Sequence, residues 1–452
     1  MKKCFFATLL SVFALIAAAA EYEMVFKSSK SGSIFNCGED MTFTAQLLID
    51  GKVAENSVVE YVLYHNGQKV REGKQQISEK PLTVTTKLDK PGWAHIYCTF
   101  KDAKGKVYRR PVLWRGKKEI RKVSGGIGGM VEPHKIDITI KEPADFDEFW
   151  GNIRKNVLAQ PIKELEKIDI TPAEQKKDFV VYDMKVNCIS NRPVSGYLVI
   201  PKNARPKSLP AIVSFHGAGF RSSAMQFGYA GKGMIAFDVN AHGIPNGKDK
   251  DFYQKMRVQI GKECGGRYNH SGKEDREKYF YKNVYMRVIR ALQYVKSLPE
   301  WDGENLIIVG GSQGGAQAIV AAALDPDVTL CRALVPAMSD HSGCFAGRQS
   351  GWPRVYQDLK DKAAVEKAVK TMAYYDDVFF GRRIKCPIYT CTGFIDTVCS
   401  PTSVYAFYNN LPATTFKSMT TTPTAPHTAK EKYFSKALDD YLAGIKKQKA
   451  AK

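Results

Sequence analysis

Leu306-Ile307-Ile308-Val309-Gly310-Gly311-Ser312-Gln313-Gly314-Gly315-Ala316 is an apolar run that ends on a glycine-flanked serine and passes into the helix-compatible stretch Ala316 to Leu324. A GxSxG pattern alone says little. Set between a strand and a helix it describes a nucleophile elbow, with Gly310 and Gly314 letting neighbouring backbone close in around a strained Ser312. Such a turn exposes the Ser312 hydroxyl at the carboxyl end of a sheet and aims a helix N-terminus at the same point. The bland reading is a glycine-rich turn with an incidental serine, which needs no partners elsewhere.

A serine hydroxyl is a poor nucleophile near neutral pH and needs a base. On a strand–elbow–helix fold the partners follow in the order Ser, acid, His. Two histidines follow Ser312. His341 comes just after the strand around Ala333 to Val335, too early. His427 follows the last expected strand, Thr415 to Thr421, and precedes the final helix, so His427 is the expected base. Asp396, after the strand Ile388 to Thr392, is the expected acid, with Asp340 as a rival one strand earlier. The oxyanion needs two backbone N–H donors. Gln313 supplies one, and Ala218 in His216-Gly217-Ala218-Gly219-Phe220 supplies the other. His216 has no second histidine or carboxylate at ligand spacing, so it is not expected to bind a metal, and acyl transfer through a serine, histidine and aspartate needs no metal or organic cofactor.

Working outward, the short apolar runs Ala211 to Phe215, Met234 to Val239, Leu306 to Val309, Ala333 to Val335 and Ile388 to Thr392 alternate with helical patterns. One such helix carries Val284, Val288, Ala291, Leu292 and Val295 on one face. Continuous apolar strands between helices predict a doubly wound, mostly parallel α/β sheet covered on both faces over residues 141–445, and the elbow at Ser312 makes it an α/β-hydrolase fold. Asp145 and Glu148 stand as a capping box ahead of Phe149 and Trp150. Ile244 to Glu277 reads as a long polar insertion, where substrate choice belongs. Residues 21–115 instead read as short strands separated by Asp50-Gly51, Asn66-Gly67 and Pro91-Gly92, predicting a small immunoglobulin-like β-sandwich. His65 and His95 within it read as surface or strand residues. The glycine-rich stretch 116–140 reads as a linker, its spacing wrong for a dinucleotide site. Residues 446–452 read as a basic frayed tail.

Lys2 and Lys3, the apolar run Phe5 to Ile16 and Ala18-Ala19-Ala20 have the layout of a signal peptide over residues 1–20, which predicts export to the periplasm or beyond. Of ten cysteines, Cys4 falls in that leader. The other nine show no CxxC pairing, and Cys37 and Cys98, each in or beside an expected strand, are a possible bridge. The chain has 452 residues, 44% hydrophobic and 25% charged, which excludes a mainly disordered protein. Beyond the N-terminus no apolar run approaches the roughly 20 residues of a membrane-spanning helix. The net charge of +21 is spread along the chain without a nucleic-acid-binding motif, so no nucleic acid partner is expected.

Several motifs together resemble one known family. Gly311-Ser312-Gln313-Gly314-Gly315 after Leu298-Pro299-Glu300-Trp301-Asp302 is similar to the nucleophile region of the acetyl xylan esterase and cephalosporin C deacetylase family, the seventh carbohydrate esterase family. Pro143, Asp145-Phe146-Asp147 and Phe149-Trp150 resemble its entry helix. Tyr279 to Tyr285 resembles its aromatic stretch, and Ile395-Asp396-Thr397-Val398-Cys399 with Pro401 its catalytic-aspartate loop. The likeness spans roughly residues 130–445. It implies an acetylesterase acting on acetylated sugars or polysaccharides through Ser312, Asp396 and His427, and makes a homo-oligomer plausible. Three positions depart from the pattern: Ala218 stands where the family has tyrosine, Asn240-Ala241-His242 replaces an Arg-Gly-Gln signature, and Thr428 replaces a glutamate. A carboxylesterase or peptidase of the same fold, and an inactive glycan-binding protein, are the alternatives.

Overall fold

The computed structural model describes residues 20–114 and 116–451, so the expected leader lies outside the described residues except for Ala20. From Tyr22 to Val131 two sheets enclose one apolar core. The first holds Tyr22–Ser28, Met41–Ile49, Lys52–Val53 and Leu82–Thr86. The second holds Ile34–Phe35, Val58–His65, Gln68–Gln76, Gly92–Lys101 and Ser124–Val131. Period-two alternation builds the core: Met41, Phe43, Ala45 and Leu47 point inward from one sheet and Val59, Leu63, Ile96, Cys98 and Phe100 from the other. Cys37 and Cys98 are both free thiols. Cys37 donates to the Glu132 carboxylate at 3.2 Å, while Cys98 is packed in the core.

The expected linker 116–140 is a correction. Ser124–Val131 pairs along its whole length with Gly92–Lys101 as an inner strand, and Lys117–Lys122 forms an exposed hairpin with Arg109–Trp114. The glycines serve close approach rather than flexibility. A methyl group on Gly126 would stand 2.1 Å from the Ile96 carbonyl oxygen.

The second part is a nine-stranded sheet in the order Glu164–Asp169, Phe179–Val186, Val194–Pro201, Ile235–Val239, Leu209–Phe215, Trp301–Gly311, Val328–Leu334, Ile388–Gly393 and Lys417–Thr422. The pairs up to Ile235–Val239 are antiparallel and the rest are parallel. The sheet is buried on both sides. Leu306 and Ile308 face the helices Phe146–Ala159, Phe280–Lys296 and Gln313–Leu324, whereas Ile307 and Val309 face the final helix Phe434–Ala451. A mostly parallel sheet with helices on both faces is the expected α/β arrangement.

Three local differences follow from side-chain competition and composition. Asp145 does not cap its helix with its side chain; Arg276 (2.6 Å) and the Tyr374 hydroxyl take the carboxylate instead. The last helix runs on to Ala451, because the Lys-, Gln- and Ala-rich end is strongly helix-forming rather than frayed. Finally, Trp93 and Met130 of the sandwich belong to the core of the nine-stranded sheet, so the two parts share packed surface. No helix among the described residues is long and apolar enough to cross a membrane.

Candidate active site

The strand Trp301–Gly311 delivers Ser312 at φ 57°, ψ −124°, and Gln313–Leu324 begins immediately after it. That left-handed backbone is unfavourable for a residue with a Cβ, and the surroundings over-determine it. The Ser312 N–H donates to the Leu334 carbonyl at 2.8 Å, and its own carbonyl accepts from Ala316 and Ala337. A methyl on Gly310 would meet the Gly314 carbonyl oxygen at 2.0 Å, and one on Gly314 would meet that of Phe215 at 2.0 Å. Both elbow positions therefore require glycine.

His427 lies between the last strand and the last helix. Its Nε2 is 2.9 Å from Ser312 Oγ, and its Nδ1 is 2.8 Å from Asp396 Oδ2. Asp396 is fully buried, whereas the imidazole is 26% exposed and so reachable by a ligand. The other carboxylate oxygen of Asp396 accepts the N–H groups of Val398 (2.8 Å) and Cys399 (3.0 Å). An ionised carboxylate only accepts, so the proton sits on Nδ1 and Nε2 turns its lone pair to the serine hydroxyl. The rival Asp340 is engaged elsewhere. It pairs with Arg348 at 3.0 Å and is fully buried, and that burial pushes its carboxyl up to about 7. His341 is buried too, which lowers its pKa to about 3.

The loop after Leu209–Phe215 brings Gly217 and Ala218 to the elbow; a methyl on Gly217 would lie 3.4 Å from Ser312 Cβ. Gln313 is the first helical residue, and N–H groups there have no intrahelical acceptor. Its side chain is clamped by the Tyr268 and Tyr281 hydroxyls, which donate to Oε1 at 2.7 and 2.9 Å. His216 shapes this loop: Nδ1 donates to the Gly217 carbonyl at 2.7 Å and Nε2 accepts from the Ala241 N–H at 3.3 Å. Burial pushes its pKa down to about 4, keeping it neutral. The departing segment Asn240-Ala241-His242 is thus structural. Asn240 donates to the Arg221 carbonyl at 2.8 Å, Arg287 grips the Ala241 carbonyl at 2.8 Å, and His242 stacks on Phe220 with ring centroids 4.2 Å apart. Among the described residues no three His, Cys, Asp or Glu side chains converge to hold a metal ion.

Sequence reasoning missed three neighbours of this site. The Trp93 indole donates to the Phe394 carbonyl at 2.6 Å, two residues before Asp396. Gly128 donates to the Pro423 carbonyl at 2.9 Å, and a methyl there would meet the Phe394 carbonyl oxygen at 2.1 Å. The sandwich therefore touches both the acid loop and the approach to His427. Cys399 is the third: its backbone N–H donates to Asp396, and burial holds its thiol far above its ordinary pKa. Only the glycine run 125–129 carried a local signal, one equally readable as a linker. A cavity of about 1020 Å³ opens beside the oxyanion loop, with Ala218, Gly219, Tyr268 and Trp352 in its wall.

Residues 134–444 match the family described as acetyl xylan esterase (AXE1). Over 285 residues the chain is 36% identical to the acetyl esterase Axe7A of Xylanibacter ruminicola. That alignment covers 62% of this chain and 63% of the relative, so the chain spans less than two thirds of that protein's length. Among solved structures, an acetyl xylan esterase from Paenibacillus sp. R4 superposes with a TM-score of 0.57 at 24% identity, covering 69% of this chain and 98% of that one. Acetyl xylan esterase 1 from Thermoanaerobacterium sp. JW/SL YS485 does so at 0.57 and 20%, covering 69% and 97%.

Proposed function

Because the chain belongs to the acetyl xylan esterase family, we propose that it is a carboxylic ester hydrolase that removes acetyl groups from sugars or polysaccharides. The observation that carries this reading is the unbroken hydrogen-bonded chain from Ser312 Oγ through His427 to buried Asp396 at a glycine-walled elbow. His427 Nε2 takes the hydroxyl proton as Ser312 Oγ attacks the acetyl carbonyl, while Asp396 holds the imidazole and stabilises the imidazolium. The N–H groups of Gln313 and Ala218 receive the charge that develops on the carbonyl oxygen. His427 then passes its proton to the departing sugar oxygen. Water, activated by the same histidine, attacks the acetyl-serine, releasing acetate and restoring the hydroxyl.

The N-terminal Lys2-Lys3 pair, apolar run and alanine site support export, with the substrate met outside the cytoplasm. The test of the chemistry is acetate release from a chromogenic acetyl ester by the protein lacking residues 1–20. Ser312→Ala is expected to lower kcat by about 10⁴- to 10⁶-fold with the fold retained by circular dichroism. A folded wild-type protein that releases no acetate, or a variant as active as wild type, overturns the proposal.

A further inference from the structure

The cavity beside the oxyanion loop has a one-sided charge. Lys117, Arg221, Lys250, Arg257 and Arg267 line it, and none of its lining residues is a carboxylate. These cations arrive from separate segments. Lys117 is on the hairpin of the N-terminal part, Arg221 follows the oxyanion loop, Lys250 and Arg257 are on the helix Lys250–Glu263, and Arg267 precedes Tyr268. A solvated helix face would place positive charge along one element; here several elements converge on one space. Asp249 caps the helix by accepting the Phe252 N–H at 2.7 Å, Asp358 pairs with Arg267 at 3.8 Å and with His270 at 3.1 Å, and the buried Asp238 lies in the field of Arg221, whereas Lys117, Lys250 and Arg257 have no ion-pair partner among the described residues.

The cavity borders the reaction centre: Ala218 and Tyr268 are in its wall, while Ser312 and His427 are not. Arg221 donates to the Gly217 carbonyl at 2.8 Å, beside Ser312, and Tyr268 reaches Gln313. Its volume of about 1020 Å³ is at the upper end of the roughly 300–1,000 Å³ of small-molecule pockets, room for several sugar units rather than for an acetyl group alone. Phe220, Tyr253 and Trp352 add apolar surface for sugar faces. Convergent guanidinium and ammonium groups select anions, carboxylates above all, because Arg can engage both oxygens.

We propose that the acetylated glycan is acidic, carrying uronate carboxylates close in the chain to the acetyl ester, and that this cationic cavity holds them. The proposal rests on the esterase reading above. The test compares kcat/KM on two acetylated oligosaccharides of equal length and acetyl content, one with uronate groups and one without, alongside the chromogenic ester. At low salt the acidic oligosaccharide is expected to be preferred by about tenfold or more, the scale of one or two charge-assisted hydrogen bonds. At about 1 M salt, where the screening length falls to about 3 Å, the preference shrinks. The double variant Lys250→Gln/Arg257→Gln, at two exposed positions, is expected to bring the ratio close to one. Equal kcat/KM on both oligosaccharides, or a preference unmoved by salt and by the variant, overturns the proposal, as does hydrolysis of the chromogenic ester with neither oligosaccharide cleaved. No hydrolysis of any ester is the different failure of the esterase reading, and the proposal falls with it.

Discussion

At the scale of single residues the site rests on what Asp396 accepts. One oxygen takes the imidazole Nδ1–H and the other takes two backbone N–H groups, so this buried carboxylate has a donor for each oxygen. Asp396→Asn keeps the shape but can offer N–H where an acceptor is needed, which favours the tautomer with the proton on Nε2, facing Ser312. The expected result is a loss of about 10⁴-fold in kcat, with KM and the thermal midpoint close to wild type, measured by ester hydrolysis and calorimetry. Ser312, His427 and Asp396 could be found in the sequence because each sits at the end of a recognisable strand in a fixed order. Trp93 could not, since its contact with Phe394 joins positions 301 residues apart and nothing local marks it.

At the scale of elements, the paired strands Gly92–Lys101 and Ser124–Val131 do more than close the sandwich. The indole of one and a glycine of the other abut the Phe394 carbonyl, and Phe394 in turn donates its N–H to Thr422 at 3.1 Å, while Ile395 donates to Ala425 at 3.2 Å. Acid loop and histidine loop are thus laced together and held from outside by the sandwich. Trp93→Phe keeps most of the packing and removes the hydrogen bond, whose net worth is about 0.5–1.5 kcal/mol. If that energy holds Asp396 in register, kcat falls by up to about tenfold while KM stays unchanged in steady-state kinetics. A lowered melting point with unchanged kcat would assign the indole to stability alone. The parallel strands from Leu209–Phe215 to Ile388–Gly393 were legible because apolar runs buried on both faces stand out; the antiparallel strands Glu164–Asp169, Phe179–Val186 and Val194–Pro201 went unnamed, the first because it is polar and exposed. The strand Ser124–Val131 was not, because glycine is a poor strand former and its role depends on neighbours that arrive from elsewhere in the chain.

For the whole molecule the question is whether the sandwich is an appended module or part of the enzyme. The two solved relatives are covered almost completely by about two thirds of this chain, so the hydrolase fold stands in them without a counterpart for the remainder. In this protein the boundary is not clean. Trp93 and Met130, both fully buried, belong to the same apolar core as Phe146, Trp150 and Phe394. Removing residues 20–131 would expose that core and leave the Phe394 and Pro423 carbonyls without their Trp93 and Gly128 donors. Burial is worth about 25 cal/mol per Å² of apolar surface, and a fully buried aromatic such as Trp93 carries 150–250 Å², so that side chain alone contributes roughly 4–6 kcal/mol as an upper bound. Total stabilities are only about 5–15 kcal/mol. The expected outcome of the truncation is therefore a protein that is insoluble or melts at much lower temperature, with reduced kcat even on a small chromogenic ester. A truncated protein with full activity on that ester and an unchanged melting point would instead make the sandwich a separable module, leaving the acid loop able to hold its own geometry.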